Sequence, residues 1–167
     1  MASLSTVATT VAGLLVGGYL FLYLHEYTHW AAGKLFSGDP RVFYDSWSGI
    51  PHPYAVKYDA LERMSDGEVR VAGISPHVVW TTVAAMYLIT TPPTVGPGFF
   101  SALAGISDWI FSASFSTTVL ITASFAAGIS VSPSDIVSAL RPRKYRTYAD
   151  CRLSHLGWVN VLLERAE

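Results

Sequence analysis

The feature that most constrains this chain is the run from Met1 to Leu24, which holds no Asp, Glu, Lys, Arg or His and ends in His25-Glu26-Tyr27-Thr28-His29. A bilayer core about 30 Å thick needs roughly 20 helical apolar residues, so the run reads as a membrane-spanning helix with three ionisable side chains at its far end. Charged side chains cost roughly 2.5–3.5 kcal/mol each near a helix centre, so the pentapeptide calls for compensation, and a metal ion supplies it. On a helix, positions i and i+4 share one face. Two imidazoles so spaced can hold one Zn²⁺, while the intervening Glu26 reaches a water beside the ion as general base. With five His in the chain and as many Glu, a chance His-Glu-x-x-His is expected about 0.4 % of the time.

The rest of the composition agrees with a single membrane-embedded domain over residues 1–167: 51% of residues are apolar, 14% are charged and the mean hydropathy is +0.36. The formal charge of −1 gives no basic excess, so no nucleic-acid partner is expected, and the bilayer is the first expected partner. The placement of the charges says more. Lys34, Arg41, Lys57, Arg63 and Arg70 form one basic block, and Arg141, Arg143, Lys144, Arg146, Arg152 and Arg165 form the other. The lone Cys151 excludes an intramolecular disulfide. The first apolar run lacks the basic start and small-residue cleavage site of a signal peptide.

Between Arg70 and Asp135 the only Asp, Glu, Lys or Arg is Asp108. Residues 71–91 make a second span. The stretch 98–132 reads either as two short spans or as one, about 111–140, preceded by a short re-entrant or interfacial helix carrying Asp108 and Trp109. Charge bias selects three spans (about 4–33, 71–91 and 111–140), because both basic blocks then fall on the cytoplasmic side and the N-terminus and residues 91–98 fall outside. The expected fold is therefore an all-α integral membrane protein, multi-pass in the cell membrane, with a small β-rich cytoplasmic insertion at 37–70 and a cytoplasmic tail at 141–167. Within the insertion, Arg41–Tyr44 and Tyr54–Tyr58 read as short strands, with an irregular polar loop as the alternative, and Glu68–Val71 either adds a third strand or opens the second span.

A catalytic zinc takes three protein ligands and keeps one position open, so a third ligand must come from elsewhere. The candidates are His52, His77, Asp108, Asp135 and His155. Asp135 fits best, because Ser132-Pro133-Ser134-Asp135 interrupts the third span at the same cytoplasmic depth as His25 and His29. Asp108 beside Trp109 suits the outer interface, His52 between two prolines suits a surface turn, and His155 suits an amphipathic tail. His77, after Pro76 inside the second span, is a candidate substrate-contacting residue, as are Val42 and Tyr44 on the first strand.

Taken together, His-Glu-x-x-His closing a first core helix, a β-rich insertion, a second span, and a third span interrupted by Pro-x-Asp resemble the three-helix core of the site-2 proteases over most of Leu14–Leu140. The resemblance implies an intramembrane zinc metalloprotease of near-minimal size, with His25, His29 and Asp135 as ligands and Glu26 as catalytic base. Ala127, Ser130 and Ile136 stand where the family pattern has Asn, Pro and Gly, while Pro133 matches a family proline. The activity so implied is hydrolysis of a peptide bond in or beside a transmembrane segment of a membrane protein, with the active site toward the cytoplasm and an extended substrate paired to a strand edge in Arg41–Lys57. Two other classes stay open: a membrane-anchored zinc hydrolase of soluble peptides, and a non-enzymatic membrane metal-binding protein.

Overall fold

The computed structural model describes residues 3–93, 98–151 and 153–163. Helix α1, Leu4–Leu35, starts at Ser3, whose hydroxyl accepts from the Thr6 amide at 3.1 Å, and runs unbroken through the pentapeptide. Helix α2, Asp66–Thr90, opens with a reciprocal capping box between Ser65 and Glu68 and contains Pro76. These two are long and apolar enough to cross a membrane. Helices α3 (Phe99–Ser112) and α4 (Phe115–Ile129) meet at a bend of 118° and count as a third such span only if taken as one.

The expected third span, 111–140, is therefore not one helix. It comprises α4, an interruption at Ser130–Ser132, and the short helix α5, Pro133–Leu140. α3 is a separate helix tied to the end of α2, where the Trp109 indole donates to the Thr91 carbonyl at 2.7 Å. Part of the 91–98 stretch, residues 94–97, lies outside the described residues, as do Arg152 and residues 164–167 of the tail. The described tail forms α6, Pro142–Tyr148, and α7, His155–Leu163.

Small residues set how closely the long helices approach. A Cβ on Gly17 of α1 would stand 2.7 Å from the Val119 carbonyl oxygen of α4, and one on Gly128 of α4 would stand 2.8 Å from the Thr81 amide nitrogen of α2. Such backbone contact is the basis of small-residue helix packing where no water drives association. It also brings the end of α4 against the middle of α2.

Two antiparallel strands, β1 (Pro40–Trp47) and β2 (Ile50–Tyr58), form the sheet. They are joined through Ser48 and Gly49, both at positive φ (51° and 81°), as a two-residue hairpin turn requires. A bulge between Phe43 and Tyr44 leaves Tyr54 without a partner in the register. The expected strands lie inside these two, and Glu68–Val71 opens α2 instead of adding a third. The hairpin also lies against α1 rather than standing apart from it. The hydroxyls of Tyr19 and Tyr23 donate to the Pro51 carbonyl, and the Tyr27 and Tyr44 hydroxyls are 2.5 Å apart. Tyr19 precedes His25 by six residues, so at about 1.5 Å per residue the hairpin tip reaches roughly 9 Å past the motif toward the N-terminal half of α1. Trp47 and Ile50 at that tip are exposed.

At the opposite end of the hairpin, Tyr58, Met64, Val69, Ala72, Val137, Tyr145 and Val161 form one buried core. Charge pairs surround it. Arg143 and Arg146 each reach Asp66 at 3.2 Å, Arg146 also donates to the Leu61 and Met64 carbonyls, Lys57 meets Asp150 at 2.7 Å, and Arg41 meets Asp59 at 2.7 Å. Described residues of both basic blocks thus gather at the end of the helix array where α1 stops and α2 begins.

Candidate metal centre

Helical period alone brings His25 and His29 onto one buried face of α1, with ring centroids 4.9 Å and Nε2 atoms 3.2 Å apart. Asp135 arrives from a different device. Ser132 caps α5, Pro133 takes its first turn, and the Asp135 carboxylate closes a capping box by accepting from the Ser132 amide at 2.9 Å. That short helix, started where α4 has stopped, sets Asp135 Oδ1 at 3.3 Å from His29 Nε2 and Oδ2 at 3.5 Å from His25 Nε2. His77 of α2 joins them, its Nε2 also 3.5 Å from Asp135 Oδ2.

Each imidazole is aimed by a backbone carbonyl that a helix irregularity has released. Pro76 has no amide hydrogen, so the Ala72 carbonyl lacks its i+4 donor, and His29 Nδ1 takes it at 2.8 Å. The final turn of α4 leaves carbonyls without intrahelical partners. The Ala127 carbonyl accepts from His25 Nδ1 and the Gly128 carbonyl from His77 Nδ1, each at 2.9 Å. A carbonyl only accepts, so each Nδ1 carries a hydrogen, and each Nε2 is left to face Asp135. Such outer contacts orient metal-binding histidines generally.

Three bare Nε2 atoms and a carboxylate converging in a buried space would repel unless a cation lay among them. Zinc with bonds of about 2.0–2.1 Å in tetrahedral geometry would hold neighbouring donors roughly 3.3–3.4 Å apart. The 3.2 Å between the His25 and His29 Nε2 atoms and the 3.3 Å from His29 Nε2 to Asp135 Oδ1 match that spacing, while His25 lies 3.5 Å from the other carboxylate oxygen, Oδ2. The donors of His25, His77 and Asp135 also lie within 4.8 Å of one another, a group able to hold a metal ion. Nitrogen and carboxylate donors in this number suit a divalent transition-metal ion.

A cavity of about 260 Å³ reaches this cluster. Glu26, His29, Ser132, Ser134 and Asp135 form its inner wall, β2 residues Tyr54–Val56 and Tyr58 one side, and Tyr145, His155 and Trp158 the other. Glu26, between the two α1 histidines in sequence, thus faces the space beside the cluster. Burial holds the Tyr58 phenol well above its ordinary range and raises that of Tyr145, so both remain neutral donors; Tyr58 gives its hydrogen to the His29 carbonyl at 3.3 Å.

The structure places the remaining sequence candidates as follows. Val42 and Tyr44 do not line this cavity; β2 does, while Tyr44 of β1 is engaged by Tyr27. His52 lies within β2, not in a turn, and is no part of the cluster. Asp108 is exposed on α3, which contributes nothing to the cluster. His155, expected at the interface, lines the cavity. The orienting carbonyls escaped sequence reasoning because they belong to Ala and Gly, although Pro76 four residues after Ala72 is a readable sign of one. Compared with known proteins, the chain matches no family model, no curated protein and no solved structure.

Proposed function

We propose that the chain is a zinc-dependent intramembrane endopeptidase that hydrolyses a peptide bond in or next to a transmembrane segment of a membrane protein. The observation that carries this reading is the convergence of His25, His29 and Asp135 at zinc-like spacing with Glu26 on the wall of the cavity beside them. Zinc held there would supply the Lewis acidity that polarises a scissile carbonyl and acidifies a water. Glu26 accepts the proton of that water and delivers it to the leaving amine. A substrate helix hides its carbonyls in its own hydrogen bonds, so it must unwind before attack. β2, whose residues Tyr54–Val56 line the cavity, offers backbone groups to the extended segment.

The setting is the membrane, with the active site toward the cytoplasm. Support comes from the gathering of described residues of both basic blocks at the end where α1 closes and α2 begins. Cys151 is exposed and is the only cysteine, so a membrane-impermeant maleimide should label it from the cytoplasmic face alone. Labelling from outside would invert the orientation.

The decisive experiment is Glu26→Gln in the purified full-length protein. Zinc content should stay at the wild-type level while cleavage of a membrane-embedded substrate falls by about 10²-fold or more, the range of a lost general base. Turnover near wild type would sink the enzyme reading. Efficient wild-type cleavage of soluble peptides, with none of the embedded substrate, would favour the membrane-anchored peptidase instead.

A further inference from the structure

His77 lies outside the His-Glu-x-x-His motif and on a different helix, yet its ring is treated like the two motif imidazoles. Its Nδ1 donates to the Gly128 carbonyl at 2.9 Å, and the neighbouring carbonyl, Ala127, receives His25 in the same way. Its Nε2 is buried and has no hydrogen-bond partner among the described residues. That atom faces Asp135 Oδ2 at 3.5 Å, the same separation that His25 keeps from the same oxygen, and the two rings sit edge to face with centroids 5.3 Å apart. A neutral imidazole held in this tautomer has only an acceptor to offer. With Nε2 deprotonated it offers the carboxylate only a lone pair, a pairing that a cation between them would complete.

We propose that His77 is a fourth protein ligand of the metal, so that three imidazoles and one carboxylate, from α1, α2 and α5, hold the ion in the resting protein. The inference rests on the zinc reading above and deepens it. Four protein ligands make a closed set, whereas a hydrolytic centre leaves one position open. His77 is the ligand placed to be given up. Its side chain is 18% exposed against 7%, 8% and 10% for His25, His29 and Asp135. It also directly follows Pro76, where α2 lacks an internal hydrogen bond and yields most easily. Release of His77 exchanges one metal–nitrogen bond for an open position, with no net transfer of protons or electrons.

X-ray absorption of the zinc-loaded wild type in detergent, which needs no variant, should count three imidazoles. Two imidazoles would overturn the proposal while leaving the zinc reading intact, and failure to bind zinc at all would overturn both. In Co²⁺-loaded protein, His77→Ala should bind the ion about 10- to 100-fold more weakly, as loss of a single supporting contact already does. The visible bands should change, and added free imidazole should restore the wild-type spectrum. Azide should perturb the spectrum of the variant and not that of the wild type. Unchanged affinity and an unchanged cobalt spectrum in His77→Ala would overturn the assignment.

Discussion

Helix α1 and the α4–α5 segment both serve the same centre, but one runs through and the other breaks. α1 continues over 32 residues, and its contribution follows from the 3.6-residue period: two imidazoles on one face with Glu26 beside them. The second apolar segment stops at Ile129 and restarts at Pro133, and that interruption supplies one carboxylate through a capping box and two carbonyls through an open helix end. α2 stands between the two cases, since Pro76 removes one internal bond without ending the helix. Regular helix delivers the motif imidazoles, and broken helix supplies the carboxylate and the carbonyls that aim the rings. A polar group in a membrane interior must find its partner inside the protein, so an interruption is tolerated where something consumes the released carbonyls, and here the imidazoles do.

The comparison is tested most severely at Asp135. If the broken segment is as necessary as the continuous one, Asp135→Ala should abolish cleavage and weaken zinc by more than about 100-fold, beyond the range of outer contacts. Asp108→Ala, on the exposed face of α3, should change neither. The apo-like Asp135 variant should also lose stability, because the buried rings lose the charge they face. Metal analysis of the two variants side by side decides it. Stoichiometric zinc in Asp135→Ala would leave the continuous helix as the real site and reduce the break to packing.

Pro76→Ala sharpens the same point, since it separates stability from function. Proline inside a helix costs about 3 kcal/mol relative to alanine, whereas losing two buried methylenes at about 0.8 kcal/mol each costs roughly half of that. The variant should therefore be at least as stable as wild type. Its restored amide would compete for the Ala72 carbonyl, freeing His29 Nδ1, and zinc affinity should fall about 10- to 100-fold. A thermal melt and a chelator competition on the same sample should move in opposite directions. If affinity holds, the proline serves only to bend α2.

How much of this could be read from the sequence follows the same division. The α1 histidines and Glu26 were legible because spacing along a regular helix fixes a face. Asp135 was legible because Pro133 marks a break in the apolar segment. The strands were legible from their aromatic and β-branched residues, but not which of them borders the cavity: alternation along a strand says nothing about its tertiary neighbour, so Val42 and Tyr44 were chosen and Tyr54–Val56 were not. The return of the hairpin along α1 depends on four tyrosines and one proline carbonyl, a set of long-range contacts that no local pattern encodes. The 118° bend between α3 and α4 was equally hidden, because Ser112–Ser114 carries no proline or glycine to announce it.

The smallest expected effect makes the finest distinction, and it uses two serines that do the same local work at opposite ends of the broken segment. Ser114 caps α4, accepting from the Thr117 amide at 3.2 Å, and Ser132 caps α5, accepting from the Asp135 amide at 3.2 Å. Loss of either hydroxyl should cost about 1 kcal/mol of stability. In Ser132→Ala the Asp135 carboxylate keeps its bond from the Ser132 amide, but the backbone that carries it loses its tether, so the oxygens facing three imidazoles are less well held. Zinc affinity should then fall by roughly 3- to 10-fold, less than for a lost outer contact made directly to a ligand atom. Ser114→Ala should leave zinc affinity at the wild-type value, since α4 presents its other end to the site. Equal stability losses with unequal metal losses would show that the restart of the helix, and not helix stability in general, sets the carboxylate. Equal losses of both kinds would mean that capping acts on the metal only through global stability, and the contrast between continuous and broken helix would lose its mechanistic content.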